Sequence, residues 1–428
     1  LRLILIGSIG VFLSGLDFLF RADSLDAPQA LLSLAIIWIG LGPGIQYIFK
    51  PRELRTPIPF LELTGCFYAI FFGVPNLLSF SLRGGRGDSD TRIFFYQYAG
   101  IEAVSIEALL LVLSGLVLLY FTWYGSRRFH PKVTVRVFQN FHESDDKIAI
   151  ELAAWALALG SLAYSTLPDV RSLSSIGQFL QPAGFVAFAL FYLVKVKGQI
   201  TRLSLFGYFF AVFPIWLGSF IAAGFFTPLI LILITWVVLR FSVTNVLPWK
   251  SISLGILLFT LVYPHLANFR QQIWVLEPQA SLSEKVHSFV ASFLPNALNP
   301  WREQTHGFVS NTGLIRRVSL ILPFSYVVEN TPSPVPYWNG ITYEILPVAW
   351  IPRLIWSTKP EERWGNKFGQ RYKILEEGDT STSINIPWIT ELFINFGQNG
   401  VIFGMALIGM LMGLLDRIFN GYETNTIE

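Results

Sequence analysis

An all-α, polytopic integral membrane protein is the predicted fold class, and three observations predict it. Hydrophobic residues make up 53% of the 428 and charged residues only 14%, against about 25% charge in an average soluble domain. Mean hydropathy is +0.52. Apolar runs of roughly 20 residues, the length that crosses a hydrocarbon core, recur at 1–20, 29–49, 59–82, 100–124, 148–167, 176–194, 203–221, 224–241, 251–269 and 386–415. With no water in that core each run must satisfy its own backbone, which a helix does. A formal net charge of +3 is too small to argue for nucleic acid.

Taken in order, ten transmembrane helices are expected. Leu1 falls inside the first run with no initiator Met before it, so a trimmed N-terminus is expected. The third run holds Pro75, which removes an N–H and predicts a kink. It also holds the chain's single cysteine, Cys66, which reads as a small buried hydrophobe. Only Ala222-Ala223-Gly224 separates the seventh run from the eighth. The loops at 50–58, 125–147, 195–202 and 242–250, with Arg240 at the edge of the last, hold thirteen Lys and Arg, and the alternate loops hold five. That asymmetry puts both termini in the cytoplasm and the long connection at about 270–385 outside. The expected division is residues 1–269 as nine transmembrane helices, 270–385 as a periplasmic loop with the active-site residues, and 386–428 as the last helix and a tail.

The outer loop is too long to be a mere connector. Leu282–Leu294 has Val286, Phe289, Val290 and Phe293 at helical spacing and predicts an interfacial amphipathic helix capped by Ser283. A second helix is expected over Asn311–Glu329, broken by Pro323, with Thr331–Pro336 a rigid extended turn and Glu376–Ser383 mobile.

Polar chemistry concentrates in this loop, above all in Ile351–Tyr372, which holds five cations, two tryptophans and two prolines. Arg270, Arg316, Arg317 and Arg353 lie on one side of the membrane, and guanidinium forks match phosphate oxygens. Snorkelling to lipid headgroups is the alternative. Tyr326, Tyr337, Trp338, Tyr343, Trp350, Trp356, Trp364 and Tyr372 would stack on sugars or form an interfacial aromatic belt. Candidate bases are Glu344, Glu361, Glu362 and Glu391, with His265 and His306 behind them. Glu391 is the most informative, because an ionisable group in the first turns of a span is paired or functional. Asp88-Ser89-Asp90 is what a Gly/Asp-rich loop gives easily. Gly84-Gly85-Arg86-Gly87 follows no predicted strand. No His/Cys cluster has metal spacing, and no nucleophile motif appears. Neither a metal nor another cofactor is expected.

The run Ile351-Pro352-Arg353, Trp356, Lys359-Pro360, then Gly365-Asn366, Phe368-Gly369 and Tyr372 resembles the outer-loop signature of bacterial oligosaccharide repeat-unit polymerases of O-antigen and exopolysaccharide, the Wzy family. Glu391, Asn395-Phe396-Gly397 and Gly400 resemble its continuation, so the likeness covers roughly 310–405. It implies an inverting, metal-independent, GT-C-like glycosyltransferase at the periplasmic face of a bacterial inner membrane, fed by undecaprenyl-diphosphate oligosaccharides. A lipid-linked glycan would pass to the non-reducing end of another lipid-linked repeat unit. Arg316, Arg317, Arg353 and Lys359, with Arg270 beside them, would grip the diphosphate. Glu391, or else Glu344 or His306, would serve the acceptor hydroxyl, and Tyr337, Trp356 and Tyr372 would contact glycan. A chain-length regulator and a flippase would be partners in the bilayer. The nearest alternative is an O-antigen ligase. A transporter of lipid-linked sugars is another, although in-span polar residues are sparse: Asp17, Glu62, Glu102, Glu107 and Glu151.

Overall fold

The structure is a computed structural model that describes residues 27–51, 54–56, 58–77, 104–127, 147–166, 174–196, 198, 200–224, 227–244, 246–271, 281, 283–285, 287–291, 318–349, 351, 356, 363–379 and 382–420. Among these no residue lies in a strand. The helices are α1 (Ala27–Phe49), α2 (Phe60–Leu77), α3 (Ile106–Ser126), α4 (Lys147–Thr166), α5 (Ser174–Val196), α6 (Arg202–Ala222), α7 (Thr227–Thr244), α8 (Trp249–Gln271), α9 (Ile321–Asn330), α10 (Trp364–Arg371) and α11 (Trp388–Asn420). Seven of these, α1 to α4, α6, α7 and α11, are long and apolar enough to cross a membrane. α5 and α8 contribute shorter apolar stretches, Leu180–Val196 and Trp249–Phe259. The protein is all-α and membrane-embedded. The run expected over 1–20 lies outside the described residues.

The chain forms two compact units, one of Leu1–Phe141, Val309–Val348 and Glu361–Glu428, the other of His142–Phe308 and Ala349–Pro360. In the first unit α1, α2, α3 and α11 bundle around Ile36, Leu61, Phe72, Leu109, Leu116, Val401 and Met405. Small residues bring the two central helices together. A Cβ at Gly409 would run into the Leu119 carbonyl of α3, and one at Gly413 into the Ser126 hydroxyl. Such stripes let membrane helices approach to backbone contact where burial alone gives little. At one end Asp416 of α11 is 1% exposed, with its carboxylate 3.8 Å from Arg127 Nε. There Asn420 holds the backbone of Ile58 by bonds to both its N–H and its carbonyl, each 2.9 Å. Asp416 was not anticipated from the sequence.

α9 docks at the opposite end. Pro75 lies in the last turns of α2, which continues to Leu77 past a π-helical turn over Ala69–Gly73. Lacking an N–H, Pro75 leaves the Phe71 carbonyl without its usual partner four residues on. That carbonyl instead accepts the Leu320 amide at 2.9 Å. Ser325 Oγ then accepts the Ser105 amide at the start of α3, at 2.7 Å, and Phe324 packs edge-on between Phe72 and Phe393. Pro323 comes just after an interruption of helical backbone at 319–320. It sits in the first turn, where backbone amides have no intrahelical partner and a missing N–H is tolerated. The helix carrying it begins at Ile321.

In the second unit α4, α5 and α6 meet through aromatic rings. Phe191 and Tyr208 stack at 3.9 Å, and Trp155 donates from Nε1 to Ser204 Oγ at 2.7 Å. A groove of about 360 Å³ runs between Pro182, Phe185, Phe220, Pro228 and Leu231. The expected amphipathic helix is helical at 283–285 and 287–291, but Ser281, not Ser283, caps it. Ser281 Oγ accepts the Glu284 amide at 3.3 Å while the Glu284 carboxylate accepts the Ser281 amide at 2.7 Å, a reciprocal capping box. The Ser281 hydroxyl, which also donates to the carboxylate at 2.7 Å, and then the Ser281 amide hold the exposed Glu284 carboxyl below its ordinary pKa.

Candidate functional site

The site grows from a break in α11. The apolar part of this helix, Trp388–Ile418, is 31 residues long. At 1.5 Å per residue it measures roughly 46 Å, well beyond a hydrocarbon core of about 30 Å. The excess is set off by Gly397, whose φ of 65° and ψ of −152° are non-helical and belong to a region open almost only to glycine. A Cβ there would also come 2.7 Å from the Tyr337 hydroxyl oxygen. The helix from Gly397 to Ile418 is by itself roughly 33 Å long, enough to cross such a core without the first turns that hold Glu391 and Asn395.

The break opens the backbone to the outer loop. Trp338 N–H donates to the Ile394 carbonyl at 2.8 Å. Gly340, at φ 91°, donates from its N–H to Asn395 Oδ1 at 2.9 Å. An amide N–H can only donate, so this bond orients the Asn395 side chain. Asn395 Nδ2 then faces two acceptors, Thr342 Oγ1 at 2.9 Å and the Glu391 carbonyl at 2.8 Å. The Thr342 hydroxyl, occupied as an acceptor, keeps its own hydrogen free for the nearby Glu391 carboxylate. Among the described residues no cation pairs with that carboxylate. Its lone pairs can take a hydrogen bond or a proton from an incoming hydroxyl.

Aromatic rings surround this carboxylate. Tyr343 stacks on Phe396 at 5.9 Å, and burial, with the nearby Glu391 charge, raises the Tyr343 hydroxyl above its ordinary pKa. Tyr337 lies half-buried against Gly397. At the start of the next turn Gln398 Nε2 donates to the Glu107 carboxylate of α3 at 2.7 Å. α10 forms the flank. Its amides fasten the segment expected to be mobile: Asn366 Nδ2 donates to the carbonyls of Asp379 and Thr382 at 2.7 and 2.8 Å, and Gln370 Nε2 to those of Glu377 and Asp379, each at 3.1 Å. Lys367 lies over the Trp364 ring at 4.5 Å, and Arg371 over Trp338 at 5.6 Å.

Of the residues expected at a site, Glu391 lies in the first turns of α11 and Tyr337 packs on Phe393 and against Gly397. Glu344 is exposed one residue from Tyr343. Tyr372, expected to contact glycan, is 2% exposed. It packs on Phe368 and Tyr326, with its hydroxyl 2.7 Å from Thr331 Oγ1, so it supports the core and has no face left for a sugar. Burial is the main reason its hydroxyl stands above the ordinary pKa. Trp356 is half-buried in the second unit. His306, Arg316, Arg317, Arg353 and Lys359 lie outside the described residues, as does the Arg270 side chain. Thr342 was not anticipated: a lone threonine in a loop has no sequence signal. Asn395 and Phe396 stood in a motif without a role. Among the described residues no three His, Cys, Asp or Glu side chains cluster as metal ligands.

The family model described as "Domain of unknown function (DUF8712)" matches residues 130–427, well over half of the chain. No curated protein matches the sequence, and no solved structure matches it.

Proposed function

The chain belongs to the DUF8712 family, whose description names no activity, and from the likeness of residues 310–405 to the Wzy polymerases we propose an inverting polysaccharide polymerase of a bacterial inner membrane. It would have ten transmembrane helices and a periplasmic reaction face. Its donor is an undecaprenyl-diphosphate oligosaccharide, and its acceptor is the non-reducing end of another lipid-linked repeat unit. The observation that carries this reading is the half-buried Glu391 carboxylate in the first turns of α11, near Thr342 and ahead of the Gly397 break. An ionisable group kept in that setting with no cation paired to it among the described residues is a functional candidate.

In the proposed reaction the acceptor hydroxyl oxygen attacks the anomeric carbon of the donor glycan from the face opposite the diphosphate. The new carbon–oxygen bond forms as the bond to the leaving phosphate oxygen breaks, and that oxygen departs with the electron pair as undecaprenyl diphosphate. The acceptor proton passes to Glu391. Arg316, Arg317, Arg353, Lys359 and Arg270 are the cations proposed to hold the diphosphate and stabilise the charge that develops on it. A carboxylate acting as base contributes about 10²–10⁴-fold.

The test is glycan ladder formation by purified protein given lipid-linked repeat units in EDTA. A ladder lost in Arg353→Ala, and reduced about 10²-fold or more in Glu391→Gln, supports the polymerase. Transfer onto lipid A core in place of a ladder indicates a ligase. Lipid-linked sugar moved across the bilayer with no glycosidic bond formed sinks both enzyme readings.

A further inference from the structure

Phe396 is 48% exposed, yet it is held like a core residue. Its ring lies parallel to that of Tyr343, 5.9 Å apart with 8° between the planes. Two glycines make room for it. A Cβ at Gly340 would come 3.2 Å from Phe396 Cζ, and one at Gly400 would come 2.6 Å from Phe396 Cβ. Gly340 also starts the turn that fixes Tyr343, whose amide donates to the Gly340 carbonyl at 2.9 Å. An aromatic ring whose only duty is to anchor a helix at the membrane interface supplies apolar mass and needs no cradle. Phe396 is also the last residue before the break at Gly397, next to Asn395 in sequence and about one and a half helical turns from Glu391, whose charge acts on Tyr343.

We propose that the Tyr343–Phe396 pair and the Glu391 carboxylate form a saccharide-binding subsite that receives the terminal sugar of the acceptor glycan. The C–H face of a sugar ring lies flat on an aromatic plane, where its apolar hydrogens leave water. Its hydroxyls project at the edge, and the Glu391 carboxylate is the acceptor beside that edge. Both rings are immobilised before the ligand arrives, so binding loses little side-chain entropy. The inference rests on the transferase reading for the word acceptor, and on the local geometry for the sugar.

The test separates acceptor from donor. Mild acid cleaves the glycosyl–phosphate bond of lipid-linked repeat units and releases free oligosaccharide, which can serve only as acceptor. This oligosaccharide is titrated against a fixed concentration of lipid-linked donor for the unmutated protein, Phe396→Leu and Phe396→Tyr. Leucine keeps apolar mass and removes the flat ring, whereas tyrosine keeps the ring. Phe396→Leu is expected to raise the acceptor KM about five-fold or more, with the donor KM unchanged, and Phe396→Tyr to retain the original acceptor KM. An unchanged acceptor KM in Phe396→Leu, or equal damage in both variants, overturns the subsite. Phe396→Met replaces the leucine variant if that one elutes aggregated. Saturation-transfer NMR between the free oligosaccharide and the purified protein needs no turnover. Transfer to sugar C–H protons that is lost in Phe396→Leu upholds the subsite even if no bond is ever formed, in which case only the transferase reading falls. No transfer with the unmutated protein overturns the subsite.

Discussion

At the scale of single residues, the direction of hydrogen bonds around Glu391 carries more information than the distances. The Gly340 amide can only donate, so it orients Asn395, and Asn395 in turn makes the Thr342 hydroxyl an acceptor whose own hydrogen is free for the carboxylate. A hydrogen bond to a charged group contributes roughly 1.5–3 kcal/mol. If that bond holds the carboxylate in its reactive orientation, Thr342→Val lowers kcat about ten- to hundred-fold and leaves KM for lipid-linked substrate near its original value. Thr342→Ser, which keeps the hydroxyl, restores turnover. A threonine needed only for packing would show the reverse order, valine being its closer match in shape. Steady-state kinetics of the two variants side by side separates these outcomes.

Among the helices, two features place α9 and α11. Gly409 and Gly413 let α11 lie against the backbone of α3, and this close parallel pair carries Glu391 and Glu107 to the same end. α9 is held there by a carbonyl that a proline released. In Pro75→Ala the restored N–H would compete for the Phe71 carbonyl, which now accepts the Leu320 amide. The expected result is faster hydrogen exchange at Leu320 and in the first turn of α9, with α3 amides unaffected. Unchanged protection at Leu320 would mean that Phe324 and Ser325 alone hold the helix. The same element shows how position governs a proline's effect. Pro323 lies in a first turn, where a missing N–H is tolerated, and Pro75 lies past a π-helical turn, where its missing N–H releases the Phe71 carbonyl.

For the molecule as a whole, the distribution of Lys and Arg predicts the side of the membrane that each loop faces. Val246 lies in a loop expected inside and is 66% exposed. Thr382 lies in the outer loop and is also exposed. With Cys66, the only native cysteine, replaced by Ser, a membrane-impermeant maleimide added to intact cells should label Thr382→Cys and spare Val246→Cys. Permeabilised cells should label both. The opposite pattern would put the candidate site on the cytoplasmic face and remove the proposed periplasmic chemistry. The two compact units also depart from the linear order of the chain: residues 309–348 and 361–428 belong with the first 141, while 349–360 belong with the second unit.

The chain's own pattern determined the class, because a 20-residue apolar run is a local property that the bilayer reads directly. Helices lie at nine of the ten expected runs, and the tenth, at 1–20, falls outside the described residues. Glu391 was also legible, since a charge opening an apolar helix stands out by contrast. Tertiary structure alone decided the rest. Thr342 meets Asn395 across 53 residues, and no periodicity reports which loop residue will reach a helix end. Tyr372 looked like its neighbours in a row of aromatics until packing buried it and left Phe396 exposed. Which ring faces outward depends on where the chain returns, and the freed backbone groups at Pro75 and Gly397 help to set those returns.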